Sequence, residues 1–160
     1  MSSAIRLIGK LAKPAAWRGW ARSACGETAE GISWIEQGLT DLRATGAVLV
    51  LPRYLALKAE ALHLADRTSE ALAAIDEAEA FAQRFENRYW SAELHRLRGV
   101  FLATISAEET EIEASFGEAI RIAGGQKSVS LEKRAETTYA EYRRQKTSAS
   151  GGCGFRIPLW

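Results

Sequence analysis

The sequence predicts an all-α fold: an α-solenoid of helix-turn-helix repeats, about three and a half helix pairs on a unit of roughly 40 residues, ending in a flexible tail. Three observations predict it. The chain matches itself at an offset of 40, the apolar residues of each unit fall at steps of three and four, and helix formers (Ala, Leu, Glu, Arg) dominate throughout. The length of 160 residues is about one domain, and 47% apolar against 26% charged residues excludes collagen-like, low-complexity and largely disordered classes. A chain of this size buries roughly 70% of its extended surface, enough for a core without staples.

The repeat defines the elements. Glu30-Gly31-Ile32, Ile35 and Gly38 align with Glu70-Ala71-Leu72, Ile75 and Ala78, and one residue of slip adds Ile112, Phe116 and Ala119. A second series falls between these, with Gly19, Ala59 and Gly99 spaced by 40 and Ala140 following at 41. Small residues at such a period mark places where two helices cross closely. The first helix pair spans 15–45. The second, 52–86, opens at Pro52, which suits a first helical turn, and Leu55, Leu57, Ala59, Ala61, Leu62 and Leu64 populate its first helix. Asp66-Arg67-Thr68 makes the turn, and Ser69 is the expected N-cap with Glu70 in the electropositive first turn. Leu72, Ile75, Ala78, Ala82 and Phe85 then form the apolar stripe.

In the third pair, 90–124, Leu94, Leu97, Phe101 and Leu102 line the first helix. Ile112, Phe116, Ala119 and Ile120 line the second, with Thr110 or nearby residues as its cap. A last helix runs from about Ser130 to Gln145. Ala47-Val48-Leu49-Val50-Leu51 is strand-like, but a lone strand has no partner, so it reads as connector or early helix. Residues 1–148 are therefore the repeat domain and 149–160 a tail, Gly-rich at first and then apolar. Phe155, Ile157, Leu159 and Trp160 are expected to dock, either on the last helix or on another chain.

Charge and motifs point away from catalysis. The net charge of +1 divides into +5 over residues 1–26, −8 over 27–125 and +4 over 126–160. The basic start has three functional readings (a membrane-surface contact, a nucleic-acid arm, an organelle-type targeting segment) beside that of a helix whose bases face solvent or the acidic middle. A secretory signal fits poorly, because Lys10, Lys13 and Pro14 interrupt the apolar stretch. Cys25 and Cys153 lie 128 positions apart and share no metal-type spacing with His63 or His95, so no metal or disulfide is expected and the compartment is read as reducing and cytoplasmic. No apolar run approaches a membrane span. Gly124-Gly125-Gln126-Lys127-Ser128 resembles a phosphate loop but has Gln126 where the motif needs Gly before Lys, so it reads as a helix-ending glycine turn. Cys153 stands among glycines with no base near it in sequence, which does not position a nucleophile. No cofactor is expected.

The alternation of small and large residues resembles the tetratricopeptide repeat, whose usual unit is nearer 34 residues. The longer unit looks like the variant in large bacterial signalling ATPases and maltose-type transcription activators. Gly31-Ile32 through Ala47, Tyr89-Trp90 through Gly99, and Lys127-Ser128 with the helix after them are similar to the C-terminal repeat region of bacterial proteins that join an adenylate/guanylate cyclase domain to an ATPase domain. Gly154-Phe155-Arg156-Ile157-Pro158-Leu159-Trp160 is similar to the tail of rhizobial-type members. The resemblance covers about residues 15–160 and implies protein binding and signal transduction without chemistry. The cyclase and ATPase domains have no counterpart here, so no catalytic residue carries over.

In tetratricopeptide stacks the first helix of each pair lines a groove. Taking Gly19, Ala59, Gly99 and Ala140 as equivalent crossing points places Trp20, Arg53, Glu60, His63, Glu93, Arg96 and Arg144 along it. Such a mixture of charge and an aromatic suits an extended or helical peptide. The same residues also suit solvated or internal ion pairs, while Trp17, Trp34, Trp90 and Tyr139 suit helix packing. The expected function is a non-catalytic interaction module whose acidic middle favours basic partners. Self-assembly is the alternative, and nucleic-acid binding through residues 1–26 the weakest reading.

Overall fold

A computed structural model describes residues 15–148 and 155–160. The basic segment 1–14 and the Gly-rich 149–154, Cys153 included, lie outside the described residues. Every regular element described is helical: α1 over residues 15–24, α2 (Thr28–Ala44), a 3-10 turn (Val48–Val50), α3 (Leu51–Leu64), α4 (Thr68–Arg84), α5 (Ser91–Thr104), α6 (Glu109–Gly125) and α7 (Val129–Ser148). The chain divides into two compact units, Met1–Asn87 and Arg88–Trp160.

One turn geometry joins all these helices. Each turn carries one residue in the left-handed region: Gly26, Gly46, Asp66, Glu86, Ser106 and Lys127, with φ between +52° and +96°. The next residue returns its N–H to a carbonyl five positions back, as from Glu27 to Arg22, Ala47 to Leu42, Arg67 to Leu62, Asn87 to Ala82, Ala107 to Leu102 and Ser128 to Ala123. This is the Schellman closure, which satisfies carbonyls left over at a helix end. The left-handed residues follow one another at 20, 20, 20, 20 and 21 positions, so the 40-residue period is two helices, each closed by the same turn.

The turn also decides where helices start and end, which corrects one expectation and sharpens two others. Ser69 is not the N-cap, because the closure from Arg67 places the cap at Arg67 and begins α4 at Thr68. Thr110 lies inside α6, whose cap position is Glu108, and neither cap makes a side-chain hydrogen bond. Gly124 and Gly125 belong to the last turn of α6, and the left-handed residue is Lys127.

In the first unit, α3 packs against both α2 and α4 and is buried on nearly every side. Ile32, Ile35, Leu39 and Leu42 of α2 meet it from one side and Ala71, Ile75 and Ala78 of α4 from the other. The stripe of α4 is centred one residue away from the expected line: Ala71 and Ala74 are buried while Leu72 and Phe85 are only half-buried. Between α1 and α2 the backbones nearly touch. A Cβ on Gly19 would stand 2.4 Å from the Gly31 carbonyl oxygen, and one on Gly31 2.2 Å from Ser23 Oγ.

In the second unit α5 packs on α6, α6 on α7, and α7 returns to α5. Leu94, Leu97, Val100 and Phe101 meet Ile112, Phe116 and Ala119, and the missing side chain of Gly99 admits the Phe116 ring, 2.8 Å from where its Cβ would be. Tyr139 and Tyr142 stack beyond it, with ring centroids 5.4 and 5.8 Å from Phe116. α7 is longer than expected, and Ala140 is exposed rather than at a crossing. Gly19 and Gly99 each meet the second helix of their pair, and among the described residues α7 has no second helix to meet.

Candidate functional site

The residues expected to line a groove occupy α1, α3, α5 and α7, and they fall into two groups. In the first unit, Trp20 on α1 donates its indole N–H to Glu60 Oε2 on α3 at 2.7 Å. Glu60 is only 3% exposed, so this bond belongs to the packing of α1 on α3. The Arg53 guanidinium lies over the Trp17 ring, 4.8 Å from its centroid, and Trp17 meets Trp20 edge-on at 6.1 Å. Trp17, read as helix packing, packs there against Trp20 and Arg53 while remaining 42% exposed, and so makes a ledge beside Arg53. Burial raises the Tyr54 phenol above its ordinary range against the opposing pull of Trp17 and Arg53. His63 shares a 3.1 Å hydrogen bond between Nδ1 and Thr68 Oγ1 across the α3–α4 turn, and burial lowers its pKa against the opposing charge of Asp66.

The second group centres on a buried ion pair. Arg96 and Glu93, one turn apart on α5, are 1% and 3% exposed. The guanidinium grips the carboxylate with two 2.9 Å bonds from Nε and Nη2. Such a fork is the strong geometry for an Arg–carboxylate pair, and in a core it persists only when the remaining donors and lone pairs are also used. Nη1 reaches Thr138 Oγ1 at 3.4 Å, Thr138 donates to the Arg134 carbonyl at 2.8 Å, and Arg134 stands 3.4 Å from Glu93. No buried side-chain nitrogen or oxygen among the described residues lacks a partner.

Residues 155–160 lie on this cluster. Arg96 Nη2 and Arg134 Nη2 both donate to the Leu159 carbonyl, at 2.9 and 2.8 Å. The Gln145 side-chain amide accepts from the Arg156 N–H at 2.9 Å and donates to the Arg156 carbonyl at 2.7 Å. Ile157 and Leu159 are buried, and the Phe155 ring sits 4.9 Å from that of Tyr142. Trp160 departs from the expected docking: it is 60% exposed and borders a groove of about 750 Å³ together with α7. Arg144 lines the same groove at its solvent side, paired through two bonds with Glu141, whose carboxyl is pushed down to about 2 by Arg144 and then Gln145.

The structure thus places Glu60, Glu93 and Arg96 inside the packing rather than on an open face, a correction with one cause. Their charges or dipoles are satisfied by Trp20, by each other and by the segment 155–160, and a satisfied polar cluster buries at tolerable cost. Sequence reasoning missed Arg134, Thr138 and Gln145. Their spacing of four and seven on one helix was a readable signal, but nothing marked which face the last helix turns inward. Among the described residues no three His, Cys, Asp or Glu side chains gather as a metal site, and no helix is long and apolar enough to cross a membrane.

Over 123 residues the chain is 33% identical to an uncharacterized protein of Rhizobium meliloti (strain 1021). The match takes in 77% of this chain and spans 12% of the length of that relative. No protein-family model matches the chain, and no solved structure matches it.

Proposed function

We propose that this chain is a non-catalytic, tetratricopeptide-like interaction module that binds an extended peptide segment of another protein on the α5/α7 face of its second unit. One observation carries the reading: in the second unit, α5 and α7 hold an extended six-residue segment by its backbone carbonyls and its apolar side chains. Helical-repeat grooves receive extended ligands by that combination of polar clamps and apolar pockets. The recurrence of one turn every 20 residues supports assigning all the hairpins to a single repeat series, the α-solenoid expected from the sequence. The cyclase–ATPase signalling context rests on the sequence resemblance alone, carried by residues 31–47, 89–99 and 154–160.

The test is a peptide array probed with the chain ending at residue 154. The reading expects bound peptides to share apolar residues at alternating positions, and expects their binding to be lost in Arg134→Ala/Gln145→Ala with helicity kept. An array without such binders overturns it. Self-association is a second reading, favoured by Ala140 and Trp160, both exposed and bordering one groove, and by the exposed Val129 on α7. A strict monomer by light scattering, with and without residues 155–160, ends that one.

A further inference from the structure

We infer that residues Phe155–Trp160 are a built-in competitor for the α5/α7 face, and that the partner displacing them is a peptide with apolar side chains at every second position. The inference rests on the peptide-docking reading above and adds to it a regulator and a ligand pattern. Burial along the segment alternates: Phe155 is half-buried, Ile157 and Leu159 are buried, and Arg156, Pro158 and Trp160 are exposed. That is the period of an extended chain laid on a surface.

The polar clamps read only backbone. Gln145 takes both the N–H and the carbonyl of Arg156, while Arg96 and Arg134 converge on the carbonyl of Leu159. Main-chain groups are common to every peptide, so these clamps accept any extended segment whose alternate side chains fit. The segment also leaves room beside itself. The groove of about 750 Å³ bordered by Lys133, Ala140, Arg144 and Trp160 falls within the range of ligand sites. A partner that follows the same track and fills this space makes contacts that residues 155–160 do not, and so can win against a tethered rival. Tethering sets the rival at roughly millimolar effective concentration, and partner affinity falls by the fraction of time the face is covered.

The experiment measures fluorescence anisotropy of a labelled peptide with the sequence of residues 155–160. Three proteins are titrated: the full chain, the chain ending at 154, and the full-length variant Ile157→Asp/Leu159→Asp. The control peptide carries Asp at the two positions equivalent to Ile157 and Leu159. The expected result is binding to both vacated proteins at least about tenfold tighter than to the full chain, with no binding of the control peptide. Equal affinity for full and vacated chains overturns the competition while leaving peptide docking intact. No binding to vacated chains that keep their helicity overturns both. Loss of helicity in both vacated proteins makes the segment structural and overturns the inference. A full-length dimer that disappears in the chain ending at 154 makes a second copy the occupant and overturns the partner assignment.

Discussion

At the residue scale, the most consequential side chain is Arg96, a guanidinium with almost no access to water. Its charge is tolerable because Glu93, Thr138 and the Leu159 carbonyl all face it. Truncating it strands the Glu93 carboxylate, and breaking a buried pair on one side costs about 3–5 kcal/mol. Arg96→Met is therefore expected to lower unfolding stability by about 3 kcal/mol, and Arg96→Met/Glu93→Leu by distinctly less. Urea denaturation followed by circular dichroism measures both, and a double variant as costly as the single one contradicts the account. Glycines give a paired prediction of opposite sign. Gly31→Ala drives a methyl group into Ser23 and the Gly19 backbone and should cost about 1–3 kcal/mol. Gly117 meets nothing within 4 Å of a built Cβ and lies inside α6, so Gly117→Ala should gain about 0.5–1 kcal/mol. Thermal melts of the two variants should move in opposite directions.

At the scale of the element, the turns carry a cost that the sequence leaves in place. Gly26 and Gly46 suit the left-handed position, but Glu86 and Ser106 hold it with side chains, at φ of +52° and +55°. Glu86→Gly and Ser106→Gly are each expected to stabilise by about 0.5–1 kcal/mol, and Gly46→Ala to destabilise by about 1 kcal/mol. Chemical denaturation resolves changes of that size, and uniform destabilisation by all three would remove the turns from the account. The same turns explain which elements were legible. Helix identity and the 40-residue period were readable, because burying one stripe per helix imposes steps of three and four on the sequence. Helix starts were not. Ser69 and Thr110 look like caps, yet the closures from Arg67 to Leu62 and from Ala107 to Leu102 set the register through left-handed residues, Asp66 and Ser106, that no glycine marks in the sequence. Pro52 was legible since its missing N–H suits only a first turn, and it stands there.

At the scale of the whole molecule, half of the candidate site could be read and half could not. The helical phase of the candidate residues was readable, since Gly19, Ala59 and Gly99 recur at one spacing beside them. Glu93 and Arg96 pair within one helix, but whether such charges stay open or are buried also depends on partners 40 or more positions away, as Trp20 is from Glu60 and Leu159 from Arg96. Periodicity within one helix carries no such information. His63 shows the consequence for pH. Burial lowers its folded pKa below the ordinary 6.5, so the unfolded chain takes up a proton first as the solution is acidified. This contribution to stability is complete above about pH 6.5, declines as pH falls through that value, and is lost once pH passes the folded pKa. Asn at this position can keep a bond to Thr68 without titrating. His63→Asn is accordingly expected to lose less melting temperature than the parent chain between about pH 8 and about pH 5. Equal losses in the two proteins would mean that the imidazole is already as easily protonated in the folded chain as in the unfolded one, contrary to its burial between α3 and the α4 turn.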